Sequence, residues 1–109
     1  MRVAIIGGGP VGLVSGTVLA SVGHDVCIVD IDTSRVGAIS NGAPPFHEPG
    51  LEPLLRRVVD QGRLRATNNL DQAVSGADIT LICVGTPSTA DGADLTALCA
   101  ASAAVGHAL

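Results

Sequence analysis

Lysine, tryptophan and tyrosine are missing from this sequence, and Phe46 is its single aromatic residue. Without aromatic faces there is no stacking platform for single-stranded nucleic acid, and the core has to be built from Val, Ile, Leu and Ala. Positive charge is scarce as well. The six basic residues, Arg2, Arg35, Arg56, Arg57, Arg63 and Arg65, stand against ten acidic ones and leave a net charge of −4. That balance gives no electrostatic footprint for nucleic acid or an anionic membrane surface. The three cysteines, Cys27, Cys83 and Cys99, are far apart and odd in number. They offer neither a disulfide framework nor a zinc spacing, so no metal is expected, and they read as buried thiols in a reducing compartment.

Long apolar runs are lacking too. Arg2 and the apolar stretch behind it resemble the start of a secretory signal. However, Gly7, Gly8, Gly9 and Pro10 would break the apolar helix that a signal needs. No run reaches the ~18–20 uninterrupted apolar residues of a membrane span. A hydrophobic content of 47% with 15% charged residues argues against disorder. The expectation is therefore a soluble cytoplasmic domain with no membrane partner. At 109 residues the chain suffices for one core. It is too short for a cofactor domain plus a substrate domain.

What is present is an alternation of short β-branched runs and longer helical stretches. Strands are predicted at Arg2 to Ile6, Asp25 to Val29, more weakly at Leu64 to Thr67, and at Ile79 to Val84. Helices are predicted at Pro10 to about Val22, Thr33 to Ser40, Leu51 to about Gln61, Leu70 to Ser75 and Asp94 to Leu109. The second helix is closed by Asn41-Gly42. The third carries Leu51, Leu54, Leu55, Val58 and Val59 at three-and-four spacing. Between them, Pro44, Pro45 and Pro49 exclude regular structure. Such alternation implies right-handed crossovers and a parallel sheet with helices on both faces.

Gly7-Gly8-Gly9-Pro10-Val11-Gly12 is a G-x-G-x-x-G that follows a predicted strand and opens a predicted helix, the context in which this motif holds a dinucleotide. Gly7 allows the tight turn, Gly9 lets backbone approach a pyrophosphate, and Gly12 permits close packing of helix on strand. The helix N-terminus offers free N–H groups and the positive end of its dipole. Asp30 ends the second strand eighteen residues after Gly12. A carboxylate there suits the adenosine ribose hydroxyls and favours NAD over NADP. Asp32 reads as the N-cap of the second helix, and Arg35 lies one turn on, within reach of the adenosine end. His47 and Glu48 read as loop-ordering residues, His24 as a turn residue, and His107 as a group suited to a helix C-terminus.

The same turn, through Leu13, also resembles the opening of flavoprotein monooxygenases, which usually carry Glu where this chain has Asp30. Three further stretches point elsewhere. Pro45-Phe46-His47-Glu48-Pro49-Gly50-Leu51 resembles the P-x-x-E-P-G-L signature of the UDP-glucose/GDP-mannose dehydrogenase family. Ala77 to Ser88 resembles its A-D-x-x-x-[IV]-x-V-G-T-P-S segment, and Asp91-Gly92-Ala93-Asp94-Leu95 the D-G-x-x-D-L that follows. All stand in family order.

The resemblance implies a partial Rossmann fold with strand order 3-2-1-4, spanning residues 1–109 as an N-terminal NAD-binding domain. The chain ends within an apolar helix, so a truncation is expected, with the central and C-terminal nucleotide-sugar domains absent. The implied parent oxidises the C6 alcohol of UDP-glucose or GDP-mannose to the uronic acid with two NAD, in polysaccharide biosynthesis, as a homodimer. Val11, Asp30, Arg35 and Thr86 match family cofactor contacts, while Pro10 stands where the family usually has Tyr. Proline suits a first helical position but removes an N–H that would meet phosphate. The family's catalytic cysteine, lysine, asparagine and threonine belong to motifs that this chain lacks, so the segment alone is expected to be inactive. A non-catalytic dinucleotide-binding module is the rival reading, and an FAD-dependent oxidoreductase a more distant one. The fourth strand is expected to form an exposed apolar edge, which makes the isolated chain prone to self-association.

Overall fold

In a computed structural model, residues 1–90 and 92–109 are described; Asp91, which opens the D-G-x-x-D-L stretch, lies outside them. Four apolar runs become four parallel strands: β1 (Arg2–Ile6), β2 (Asp25–Val29), β3 (Leu64–Thr67) and β4 (Ile79–Ile82). Their order is β3-β2-β1-β4, as the motif order implies. In register, Val3 lies beside Val26 and Ile79, and Ile5 beside Ile28 and Leu81.

Side chains alternate between two faces. Val3, Ile5, Val26, Ile28 and Leu64 pack against α1 (Pro10–Ser21) and α3 (Leu51–Asp60). Ala4, Ile6, Cys27 and Val29 pack against α4 (Leu70–Ser75) and α5 (Thr96–Ala108). Burial on both faces is why β1 and β2 read as unbroken apolar runs. Ile5, Leu13, Ile28 and Leu55 are fully buried, and each contributes about 1.5–3 kcal/mol relative to an exposed position. α2 (Thr33–Ser40) begins at Asp32, whose carboxylate accepts from the Ser34 and Arg35 N–H groups at 3.0 and 3.3 Å. The Ser34 hydrogen bond holds that carboxyl below the usual carboxylate range. α2 ends at Asn41 with Gly42 at φ +75°, the left-handed residue that closes a helix.

Two boundaries differ from the expectation, and one pair of strands is additional. β4 stops at Ile82, not Val84, because its partner β1 ends at Ile6 and the chain then turns at Gly7. The last helix starts at Thr96, not Asp94. Asp94 instead stands before it and accepts from the Thr96 N–H and hydroxyl at 2.9 and 2.6 Å. Two short antiparallel strands, β5 (Ser88–Thr89) and β6 (Gly92–Ala93), stand before this helix, where no element is predicted from the sequence.

β4 carries the apolar residues of a buried strand, yet Ile79 is 42% exposed and Thr80, Leu81 and Ile82 are half-buried. Its outer edge pairs with no strand among the described residues. On α1, Val11 and Val18 are exposed, as is Val22 at its C-cap, so the helix is apolar nearly all round, as in helices with neighbours on every side. The 109-residue chain is therefore expected to self-associate. Sedimentation velocity at rising concentration should show species heavier than 10.8 kDa. A strictly monomeric boundary at millimolar concentration would contradict this.

Candidate functional site

Ile6 ends β1 and Gly7 turns the chain at φ +112°, a conformation that L side chains rarely adopt. The Gly7 N–H donates to the Val29 carbonyl at 2.7 Å, which ties the turn to the end of β2. A Cβ on Gly7 would lie 2.5 Å from the Cys83 carbonyl oxygen, and one on Gly12 would collide with the Gly7 carbonyl. Both glycines are therefore required by packing. Gly9 is different: a Cβ there would meet no atom within 4 Å. Its missing side chain does nothing for packing and leaves space beside the helix terminus. Gly9 is the N-cap of α1 and Pro10 its first residue. Val11 and Gly12 follow, at positions where a helix leaves N–H groups without an intrahelical acceptor. The twelve-residue helix directs the positive end of its dipole into the same space.

β2 delivers Asp30 to this turn. Its side chain is almost buried, and Oδ2 accepts the Gly8 N–H at 2.8 Å and Arg35 Nη1 at 3.1 Å, while Oδ1 accepts the Asp32 N–H at 2.9 Å. Ile31, the next residue, is 97% exposed. These groups surround a cleft of about 920 Å³ at the C-terminal ends of the strands. That is the end where doubly wound sheets bind ligands, and the size suits a small molecule.

Gly7, Gly9, Pro10, Val11, Asp30 and Arg35 line the cleft together. Gly12 lies behind the turn, buried against Gly7 and Ile5. Thr86 is exposed and follows Gly85, which does line the cleft. Sequence reasoning missed Ile31 and the small-residue face of α5, in which Ala97, Ala100, Ala101 and Ala104 form the opposite wall. The only available signal for Ile31 was an isoleucine stranded between two aspartates beyond the strand end. The alanines carried none, since an Ala-rich helix face reads as packing.

A smaller cavity of about 360 Å³ lies at the other end of the strands, lined by Arg2, Asp25, Cys27 and Arg65 among others. Of the motif stretches it includes only Ala77, and none of the glycine-turn residues or Asp30. Burial pushes the Cys27 thiol up, with Arg65 opposing, and burial alone pushes Cys83 up. Neither thiol is activated as a nucleophile. No group of three or more metal-ligating side chains occurs among the described residues, and no helix among them is long and apolar enough to cross a membrane.

The site fits a dinucleotide on its own chemistry. The open space at Gly9 faces a helix N-terminus suited to phosphate, and the Asp30 carboxylate has acceptor capacity for ribose. Residues 1–109 match the model of the UDP-glucose/GDP-mannose dehydrogenase family, NAD binding domain. A GDP-mannose 6-dehydrogenase of Pseudomonas savastanoi pv. phaseolicola is 45% identical over 92 residues, which is 84% of this chain and 21% of that protein. A UDP-glucose 6-dehydrogenase of Rhizobium meliloti is 47% identical over 88 residues, 81% of this chain and 20% of that one. Among solved structures, a ternary complex of GDP-mannose dehydrogenase from Pseudomonas aeruginosa superposes with a TM-score of 0.96 at 39% identity, over 99% of this chain and 25% of that one. A UDP-glucose dehydrogenase from Pyrobaculum islandicum gives 0.92 at 39% identity, over 97% of this chain and 25% of that one. The chain thus spans about a fifth of the length of these sequence relatives. It belongs to the UDP-glucose/GDP-mannose dehydrogenase family, with residues 1–109 matching that family's NAD binding domain.

Proposed function

We propose that this chain is the cofactor-holding part of a nucleotide-sugar dehydrogenase that oxidises the C6 alcohol of UDP-glucose or GDP-mannose to the uronic acid with two NAD. The observation that carries this reading is the convergence of Gly9, the α1 terminus and Asp30 on one cleft. Relatives at 45–47% identity are named as 6-dehydrogenases of these two sugar classes, which supports the substrate class. NAD, when bound, supplies the hydride acceptor.

This chain's own residues bind and orient. The Val11 amide at the α1 terminus, with Gly9 leaving room and Gly12 letting helix and turn close together, holds the pyrophosphate. Pro10 fixes the first helical φ and contributes no donor. Asp30 accepts from the adenosine ribose, Arg35 covers that end, and exposed Ile31 gives the adenine an apolar face. Thr86, past the end of β4, serves the nicotinamide side. The partners of this reading are a nucleotide sugar and a second subunit of the longer protein, acting in the cytoplasm. The chain itself contains no lysine, and burial raises the Cys27 and Cys83 thiols, so it is expected to bind without turnover.

The test is calorimetric titration of the 109-residue chain with NAD, alongside a 340 nm assay with UDP-glucose and GDP-mannose. Binding of NAD is expected, with no NADH formed from either sugar. Asp30→Ala should weaken binding by about ten- to a hundredfold, since hydrogen bonds to a charged group are worth about 1.5–3 kcal/mol. Absence of NAD binding, or capture of flavin instead, would overturn the assignment.

A further inference from the structure

Asp30 is engaged by three protein donors without any ligand: Gly8 N–H and Arg35 Nη1 on Oδ2, and Asp32 N–H on Oδ1. A carboxylate offers about four acceptor sites. The remaining one, on Oδ1, suffices for a single ribose hydroxyl. An unpaired carboxylate at this position would take hydroxyls alone and repel a 2′-phosphate. Here the negative charge is countered by a guanidinium 3.1 Å away. Gly8 makes the room for this pair, since a Cβ there would lie 3.1 Å from Asp30 Oδ2 and 3.3 Å from Arg35 Cδ.

Arg35 is not consumed by the pairing. A guanidinium carries five N–H donors in a fixed fork. Only the Nη1 contact with Asp30 involves the side chain in a hydrogen bond among the described residues; the side chain is 40% exposed and is one of those lining the cleft. It therefore keeps free donors in the same cleft that Asp30 lines.

We propose that Arg35 is the cofactor-specificity residue of this site, and that, paired with Asp30, it admits a dinucleotide bearing a 2′-phosphate as a weaker second ligand beside NAD. This rests on the dinucleotide-binding reading above. Two effects act in the same direction: the pairing cancels the repulsion from Asp30, and the free fork donates to phosphate. Because the pair is partly exposed, solvent screens it, and NAD keeps the preference.

The experiment is calorimetric titration of the protein with NAD and with NADP, for the wild type, Arg35→Met and Arg35→Lys. The wild type is expected to bind both, with NADP weaker by less than about a hundredfold. Arg35→Met should widen the NADP-to-NAD ratio of dissociation constants by about tenfold or more, the loss expected for a charge-assisted contact. Arg35→Lys should restore part of it, because the charge stays and the fork is lost. An NADP-to-NAD ratio that Arg35→Met leaves unchanged, or a wild type that takes NAD and refuses NADP, overturns the proposal and leaves the NAD assignment standing. If neither dinucleotide binds, both fall together.

Discussion

Gly12→Ala is expected to lower the stability of this domain by about 2–3 kcal/mol, and its melting temperature by roughly 10 °C. The added methyl would collide with the Gly7 carbonyl and sit 3.1 Å from Ile5 Cγ2. A backbone carbonyl cannot rotate aside as a side-chain terminus can, so helix and turn must separate. The better helix propensity of alanine returns at most about 1 kcal/mol. Two other helical glycines serve as internal controls. At Gly16 the methyl would meet the Ile28 and Ile5 Cδ1 atoms at 2.7 and 3.0 Å; these are flexible ends, so a cost of about 1 kcal/mol is expected. At Gly37 nothing lies within 4 Å, so alanine should stabilise by about 0.5–1 kcal/mol. Thermal melts of the three variants should follow the order Gly37→Ala, wild type, Gly16→Ala, Gly12→Ala. A Gly12→Ala variant that melts with Gly37→Ala would refute the contact argument.

Gly9→Val should do the reverse, sparing the fold and removing the ligand. The backbone at Gly9 is extended, at φ −76° and ψ −171°, which any residue adopts. The only structural penalty is a poorer N-cap, about 1 kcal/mol or less. The isopropyl group would occupy the space that the phosphates need. Losing one or two charge-assisted hydrogen bonds costs about ten- to a thousandfold in affinity. Titration with NAD, paired with circular dichroism on the same sample, checks both halves. Wild-type affinity in a folded Gly9→Val protein would remove Gly9 from the site.

These two glycines belong to one motif, and their opposite roles were only partly legible beforehand. Spacing identifies Gly7, Gly9 and Gly12 as a set. Which of them is closed in by protein and which faces empty space depends on Cys83, just past β4, and on the Gly7 carbonyl and Ile5. The sheet itself was readable, because continuous apolar runs between helical stretches admit few topologies. The end of β4 was not. Cys83 and Val84 continue the apolar run, and the Cys83 N–H still reaches the Ile6 carbonyl at 2.7 Å. The strand stops because its neighbour turns away, a fact that belongs to residue 7. The pair of strands at Ser88–Thr89 and Gly92–Ala93 is too short to show any period. At the site, the charged and glycine positions stood out, whereas Ile31 and the α5 alanines look like core until the cleft they face is seen.

The central place of β1 has a consequence in time. Its partner on one side, β2, follows after a single helix, but its partner on the other, β4, comes only after β3 and α4. During synthesis, a three-stranded β3-β2-β1 sheet is complete when Thr67 has emerged, with β1 as its open flank. The fifteen residues from Asn68 to Ile82 take about one to three seconds at ordinary ribosome speed. Through that interval a strand buried at four of its five positions in the finished fold is an unguarded template for any passing chain. Crowding of nascent chains in that interval is thus a hazard separate from the finished protein's stability.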